Sequence, residues 1–313
     1  MIDRKCEITA SQSDLLPPLV NTMLAVKPQV REIQESDLEG IADLLTRGFV
    51  HRSRDYWMRG LLRQSARSLP EGSPRYGYLL ESDGKPVGCL LLIYSTKTID
   101  GKPATCCNVS SWYVDAEFRN YAALFASMTQ KRKDVTYFNV TPAFPTWPIL
   151  EAQGFKTYCR GLFFSLPVLS RSGSGMEVEA VSADSVSIQG MPDEELALLK
   201  RHASYGCLSL VCRTTGETIP FIFFPLRKRR GIIPLPALQL GYCREISDYA
   251  RCAGAIGRYL LRRGRPIIIL DANGPIAGLA GLYSEARGRK YFKGPARPRL
   301  GDLADTELAI FGM

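Results

Sequence analysis

The sequence predicts an α/β (α+β) protein made of two similar halves. Between Val30 and Leu166, apolar strand-like runs and amphipathic helical runs alternate in the order β-α-α-β-β-β-α-β-α-β. A Ser/Gly-rich segment follows, after which a second series of strands and helices begins. The predicted organisation is a flexible N-terminal extension (1–27), a first domain (28–169), a linker (170–175) and a second domain (176–313).

Length and composition restrict the class of protein. A chain of 313 residues has room for about two domains, and 45% apolar with 23% charged residues is ordinary for a globular protein. No apolar run approaches the ~20 residues that span a bilayer, and the first residues lack a signal-peptide layout. Nine scattered cysteines and two histidines predict neither a disulfide framework nor a metal site. We therefore expect a cytoplasmic protein with no metal and no membrane partner.

The net charge of +9 comes mainly from clusters late in the chain. The clusters are Arg227–Arg230, Arg262–Arg263 and the stretch from Arg287 to Arg299. Such runs are more typical of solvated faces than of dedicated nucleic-acid sites, so nucleic acid is not predicted as a partner. The same charge would also attract a strongly anionic small ligand.

The first elements have clear local signals. Residues Ser36 to Glu39 have the pattern of a capping box, and Leu38, Ile41 and Leu45 fall on one face of the helix that follows. Two strands, 76–82 and 87–94, flank an Asp-Gly pair, which is typical of a β-hairpin.

The segment from Ser110 to Phe125 is the most informative part of the chain. An apolar strand ends in an acidic turn, then comes Arg119, and a helix rich in small residues follows. The start of a helix exposes unpaired N–H groups and partial positive charge, which favour phosphate oxygens. Arg119 would add a fixed charge at the same place.

Further signals continue the pattern downstream. A buried-type strand ends at Asn139, and Thr146 can cap a short helix that has Pro148 in its first turn. Gly154 stands where the end of that helix needs a positive φ angle.

The segment resembles the acyl-CoA pyrophosphate loop of the GCN5-related N-acetyltransferase (GNAT) superfamily, whose run is Val-x-Pro-x-aromatic-Arg-Gly-x-Gly-x-Gly/Ala. Val114, Phe118 and Arg119 fit, Ala116 replaces the proline, and Ala122 stands where the family has a glycine. The order of elements is also that of the family. The resemblance implies that each half is a mixed, mostly antiparallel twisted sheet flanked by helices.

The resemblance also implies acetyl-CoA or another acyl-CoA as co-substrate. The backbone of Trp112, Tyr113 and Val114 would polarise the thioester carbonyl and pair with the pantetheine arm. The diphosphate would bind at the residues that follow, namely Arg119, Asn120, Tyr121, Ala122, Ala123 and Leu124. The acceptor implied is an amine on a small molecule or a peptide.

The acid–base groups that many relatives use are not at their usual positions. This strand carries Ser110 instead of a glutamate, and Leu150 occupies the place of the usual tyrosine. His51 is the leading candidate for the base because its ordinary pKa suits proton transfer, although a surface histidine beside arginines is the alternative. Ser110 and Asn139 are the other catalytic candidates.

The second half repeats spacings of the first. The same interval separates Gly84 from Gly216 and Arg119 from Arg251. Gly254 then falls where the first half has Ala122, so the second half could also hold a diphosphate. We favour the first half as the active one, because its stretch between the opening strand and the hairpin, which walls the acceptor pocket in the family, is longer.

The sequence thus predicts a tandem GNAT-like acyltransferase, monomeric or homodimeric, that moves an acyl group from CoA to an amine. Two alternatives stay open. The missing acid–base groups would suit a non-catalytic acyl-CoA-binding or scaffold protein. The late basic clusters would suit an aminoacyl-tRNA-dependent transferase of the same tandem type.

Overall fold

The computed structural model describes residues 27–99, 101–171, 173, 175–226, 229–230, 233–234 and 236–312. Apart from Lys27, the predicted N-terminal extension lies outside the described residues, and so do Arg227 and Lys228 of the first basic cluster. In the described part of the chain, no helix is both long and apolar enough to cross a bilayer.

The first half follows the predicted order of elements up to its last helix. Its strands are β1 (Gln29–Glu32), β2 (Gly77–Ser82), β3 (Lys85–Ile99), β4 (Lys102–Val114), β5 (Thr136–Asn139), β6 (Lys156–Cys159) and β7 (Gly161–Ser165). Its α-helices are α1 (Leu38–Gly48), α2 (Arg54–Ser65), α3 (Ala122–Thr129) and α4 (Trp147–Ala152). The single closing strand that was predicted is instead divided into β6 and β7 at Arg160.

The second half has the corresponding elements. Its strands are β8 (Glu177–Val181), β9 (Leu208–Thr214), β10 (Glu217–Pro225), β11 (Arg229–Arg230), β12 (Ile233–Pro234), β13 (Ala237–Cys243), β14 (Ile267–Ala272), β15 (Gly281–Ser284) and β16 (Lys290–Lys293). Its α-helices are α5 (Asp193–Ser204), α6 (Ile246–Leu261) and α7 (Glu307–Ile310).

In the described part of the chain, fourteen strands form two seven-stranded sheets with the same topology, and β11 and β12 form a separate antiparallel pair. One has the order β1-β2-β3-β4-β5-β16-β6, and the other has the order β8-β9-β10-β13-β14-β7-β15. The pairs β4–β5 and β13–β14 are parallel, and the other neighbours are antiparallel. The predicted fold class, two mixed and mostly antiparallel sheets flanked by helices, is confirmed.

Each half gives its last strand to the sheet of the other half. Strand β7 lies between β14 and β15, and β16 lies between β5 and β6. The chain crosses from one sheet to the other at Arg160, where the predicted closing strand is divided. The segments 28–169 and 176–313 therefore each complete the sheet of the other.

A shared apolar cluster joins the two halves. It combines Cys106 and Phe138 of the first sheet with Val211 and Ile222 of the second, all at most 2% exposed. Burial of apolar surface contributes roughly 25 cal/mol per Å², so this contact stabilises the pair of halves as one unit.

The start of α1 differs from the predicted capping box at Ser36 and Glu39. Asp37 instead accepts a hydrogen bond from the backbone N–H of Gln34 at 2.8 Å, and Arg31 holds the same carboxylate at 2.7 Å. The charge-assisted bond to Arg31 favours Asp37 as the capping group. The apolar face of the helix is confirmed, because Leu38, Ile41 and Leu45 are buried.

Two other local predictions have different outcomes. The hairpin between β2 and β3 is confirmed, since Asp83 and Gly84 both have positive φ angles, 51° and 71°, as a type I′ turn requires. Thr146 does not cap α4, because its backbone is already helical and its hydroxyl donates to Ala143 O at 2.7 Å. Gly154 has the predicted positive φ angle, 85°.

Candidate active site at the ends of β4 and β5

The candidate site is a cleft that opens where β4 and β5 separate. The two parallel strands pair from Cys106 to Asn108, and their register stops there. On its other edge, β4 continues to pair with β3 as far as Val114. The last residues of β4 therefore have a backbone edge that faces a cavity of about 300 Å³.

The cavity combines aromatic side chains with a small set of polar ones. The aromatic lining consists of Phe49, Tyr56, Trp57, Trp112 and Phe311. The polar lining includes Arg52, Ser110, Ser111, Asn139, Thr141 and Glu307. An apolar wall with a few convergent polar groups is the usual composition of a small-molecule site.

Two of the three predicted catalytic residues line the cleft. Ser110 lies on β4 and Asn139 ends β5, where its Oδ1 accepts from the backbone N–H of Thr141 at 3.2 Å. His51 is exposed in the turn between α1 and α2, and the neighbouring Arg52 reaches the lining in its place. The structure thus brings Ser110 and Asn139 together, but it does not bring His51 to them.

The three residues predicted to provide the strand backbone alternate across the sheet. Trp112 lines the cleft, and among the described residues its buried indole Nε1 has no hydrogen-bond partner. Tyr113 points to the opposite face and packs beside Gly48, where any side chain at position 48 would overlap its ring. Val114 is buried in the core on the same side of the sheet as Trp112.

The predicted diphosphate loop contains a 3-10 helix, Ala116–Tyr121, that precedes α3. Two of its amide groups are already engaged, because Phe118 N donates to Asp115 O at 3.0 Å and Ala122 N donates to Arg119 O. The acidic turn expected before Arg119 is therefore a 3-10 helix, and α3 begins after Arg119 as the sequence predicts. Among the other predicted residues, Arg119, Asn120, Ala123 and Leu124 are exposed, and Tyr121 is half-buried.

Sequence reasoning missed Glu307, which comes from the end of the chain. The C-terminal segment returns from the second half, and α7 places Glu307 in the cleft of the first half. The Thr141 hydroxyl donates a hydrogen bond to Glu307 Oε1, although the two residues are 166 positions apart in the sequence. No local pattern could have revealed this contact, because it depends on where the last segment of the chain lies.

The electrostatic state of Glu307 sets it apart from a surface carboxylate. Burial raises the pKa of the Glu307 carboxyl above the usual range, while hydrogen bonds from Ser110 and Thr141 and the charge of Lys290 act in the opposite direction. A carboxylate whose pKa is raised in a cleft is a candidate for proton transfer.

The corresponding cleft of the second half is covered by the chain itself. Pairing of β13 with β14 stops at Gln239, and beyond it Leu303 N donates to Gly241 O at 2.7 Å. Cys243 N donates to Gly301 O at 2.9 Å. The C-terminal segment therefore occupies the β13 edge that corresponds to the exposed edge of β4.

The equivalence of Arg119 and Arg251 is not borne out by their positions. Arg251 lies in the second turn of α6, whereas Arg119 lies in the loop before α3. Arg251 is also engaged, with Glu217 and Asp248 each at 2.9 Å. The constant interval fails here because α6 begins directly after β13, without the intervening 3-10 helix.

Solved structures share this architecture. A protein from Pyrococcus horikoshii, provisionally assigned as an acetyltransferase, has a TM-score of 0.54 and 13% identity, with 95% of each chain covered. GCN5-related N-acetyltransferases from Anabaena variabilis and Kribbella flavida give TM-scores of 0.53 and 0.51 at 10% and 13% identity. Each covers 85% of this chain, and the match spans 72% and 71% of their own lengths. No family model and no curated protein matches the sequence. The chain has the fold of the GCN5-related N-acetyltransferases, which its two sheets repeat.

Proposed function

We propose that the protein is an N-acyltransferase that moves an acetyl or other acyl group from an acyl-CoA to an amine in the first-half cleft. The observation that carries this proposal is the difference between the two clefts. The edge of β4 beyond Asn108 faces the cavity, whereas the same edge of β13 is covered by residues 301–303. A strand edge presents N–H and C=O groups that suit the amide groups of an extended acyl-CoA arm.

The lining suits acyl transfer to an amine. The reaction needs a neutral amine, a polarised carbonyl and a proton for the leaving thiolate. Backbone N–H groups of β4 from Ser110 to Val114 would polarise the carbonyl. The amide of Asn139 would orient the acceptor, because its Oδ1 accepts from Thr141 N and its Nδ2 would donate to the acceptor.

Because of the 3-10 helix before α3, the diphosphate would be bound more by a side chain and less by backbone N–H groups. Since two amide groups of this loop are engaged, Arg119 would supply a larger share of the attraction than in a glycine-rich loop. Arg119 is exposed, and it lies at the end of the loop that follows the β4 edge.

Arg119→Ala is expected to weaken acetyl-CoA binding by about 1.5–3 kcal/mol, the range for the loss of a charge-assisted hydrogen bond. Titration calorimetry with acetyl-CoA measures the change. Arg251→Ala is the matched control, since that arginine belongs to the half whose cleft is covered, and it should leave the affinity unchanged. A loss confined to Arg251→Ala would move the site to the second half.

The activity itself is tested by release of CoA thiol from acetyl-CoA with a panel of small-molecule and peptide amines. Release that depends on an amine is the expected result. Binding of acetyl-CoA without release by any amine would favour the non-catalytic acyl-CoA-binding protein. A thermal shift with tRNA but not with acetyl-CoA would favour the aminoacyl-tRNA-dependent transferase.

A further inference from the structure

We propose that Glu307 is the general base of the first-half cleft and that the second half supplies it through the C-terminal segment. This inference rests on the proposed acyl transfer. It replaces His51, which lies exposed outside the cleft lining, with a carboxylate that lies inside it.

The position of Glu307 is defined by both strands of the cleft. Its carboxylate accepts a hydrogen bond from Thr141, two residues after the end of β5, and Ser110 on β4 lines the same cavity beside it. The group therefore lies between the two strands at the point where they separate. In the proposed reaction, this is the place where an acceptor nitrogen must approach a carbonyl held on the β4 edge.

The backbone around Glu307 is anchored as firmly as the side chain. Its N–H donates to Asn108 Oδ1 at 2.8 Å, and Asn108 is the last residue of β4 that pairs with β5. Two residues earlier, Asp305 accepts from Arg67 at 2.6 Å and from Arg201 at 3.1 Å. A base held in one place by its own backbone needs little reorganisation before it accepts a proton.

The charged and titratable groups around Glu307 come from several elements. The positive charge of Lys290 on β16 lowers the pKa of Glu307. The Lys290 ammonium is itself paired with the buried Asp271 at 3.2 Å. Arg52 and Tyr56 line the same cavity from the side of α2. Burial still dominates and raises the pKa of Glu307, which brings the carboxylate closer to an ammonium in proton affinity.

The proton balance of the step is simple. The Glu307 carboxylate takes one proton from the acceptor ammonium and becomes a neutral carboxylic acid. The freed amine nitrogen forms a bond to the thioester carbonyl carbon, the C–S bond breaks, and the second nitrogen proton passes to the thiolate. Glu307 then returns its proton to solvent, and the products are an N-acyl amine and free CoA thiol.

The test compares the full-length wild type with Glu307→Gln, using acetyl-CoA and a low-pKa amine across a pH series. Glu307→Gln is expected to lower kcat by about 10²–10⁴-fold, the usual contribution of a general base, with the KM for acetyl-CoA unchanged. The wild-type rate should rise with pH through the pKa of Glu307, because only the carboxylate accepts a proton. The rate of Glu307→Gln should lack this rise with pH, which we call the pH limb.

Thr141→Val keeps the test decisive if Glu307→Gln does not fold. Valine has the shape of threonine but cannot donate a hydrogen bond to the Glu307 carboxylate. The pKa of Glu307 should therefore rise, and the increase in rate should occur at a higher pH. A purely structural role for Glu307 would leave the limb where it is.

The remaining outcomes separate this inference from the proposed function. If the wild type transfers the acyl group and both variants keep its rate and pH limb, Glu307 is not the base and the activity stands. If His51→Gln removes the limb instead, the base is His51. If the wild type releases no CoA thiol with any amine, the proposed function fails, and the role of Glu307 fails with it.

Discussion

Gly60→Ala is expected to displace the C-terminal segment from the first half. Gly60 lies in α2, and a Cβ atom there would overlap the ring of Phe311. That ring is only 6% exposed and packs edge-on against Trp57 with centroids 5.7 Å apart. We expect a loss of about 3 kcal/mol in the free energy of unfolding, measured in urea, since a buried phenylalanine must leave its site.

The same variant should also abolish acyl transfer, because Phe311 follows Glu307 in the same short helical segment. Gly40→Ala in α1 is the matched control. A Cβ at Gly40 meets the ring of Pro86 at ordinary contact distances, 3.5 Å from Cγ and 3.9 Å from Cδ, so the substitution should stabilise the helix by about 0.5–1 kcal/mol. Equal stability and activity of the two variants would show that the segment does not depend on the site beside α2.

Asp305→Asn is expected to cost about 3–5 kcal/mol at neutral pH, because it leaves a buried charge without its partner. The Arg67 side chain is 8% exposed and bonds this carboxylate at 2.6 Å. Although burial opposes ionisation of Asp305, the charges of Arg67, Lys97 and Arg201 lower its pKa to about 2.

The cost should depend on pH in a defined direction. Because the pKa of Asp305 is lower in the folded than in the unfolded state, its stabilising contribution is complete above about pH 4 and is lost as the pH falls toward 2. Urea unfolding from pH 7 downward should therefore show the difference from wild type shrinking in acid. A difference that stays constant with pH would contradict the ionic origin.

Asp134→Asn is the control for Asp305→Asn. Its carboxylate also bonds an arginine, Arg132 at 2.7 Å, but the side chain is 64% exposed. Exposed ion pairs contribute little to stability, so no measurable change is expected.

Phe311 and Asp305 join the C-terminal segment of the second half to the first half. After β16, residues 301–303 cover the β13 edge. Asp305 then binds Arg67, and Phe311 packs against Trp57 of α2. The hydrogen bonds to β13 thus hold the C-terminal segment in place, and the same segment contributes Glu307 to the cleft of the first half. The second half contributes to the proposed chemistry through this segment, without requiring a ligand in its own cleft.

Local sequence signals predicted the parts of the site that lie on continuous elements. The sequence predicts the strand that carries Ser110 and Trp112, the loop with Arg119 and the strand that ends at Asn139. Each depends on periodicity and turn chemistry within a few residues, which the sequence displays directly. The His51 prediction rests on the ordinary pKa of an imidazole and on the place of His51 between the opening strand and the hairpin, and neither shows that the side chain enters the cleft.

The sequence by itself determined the order of elements in the first half as far as α4, the hairpin turn at Asp83 and Gly84, and the strand that forms one wall of the cleft. Only the tertiary structure decided that β7 and β16 exchange sheets and that Glu307 enters the cleft of the other half. The physical reason is that alternating hydrophobicity marks a strand as half-buried without specifying its neighbours. Contacts between distant segments depend on which edges and cavities remain uncovered once the sheets have formed.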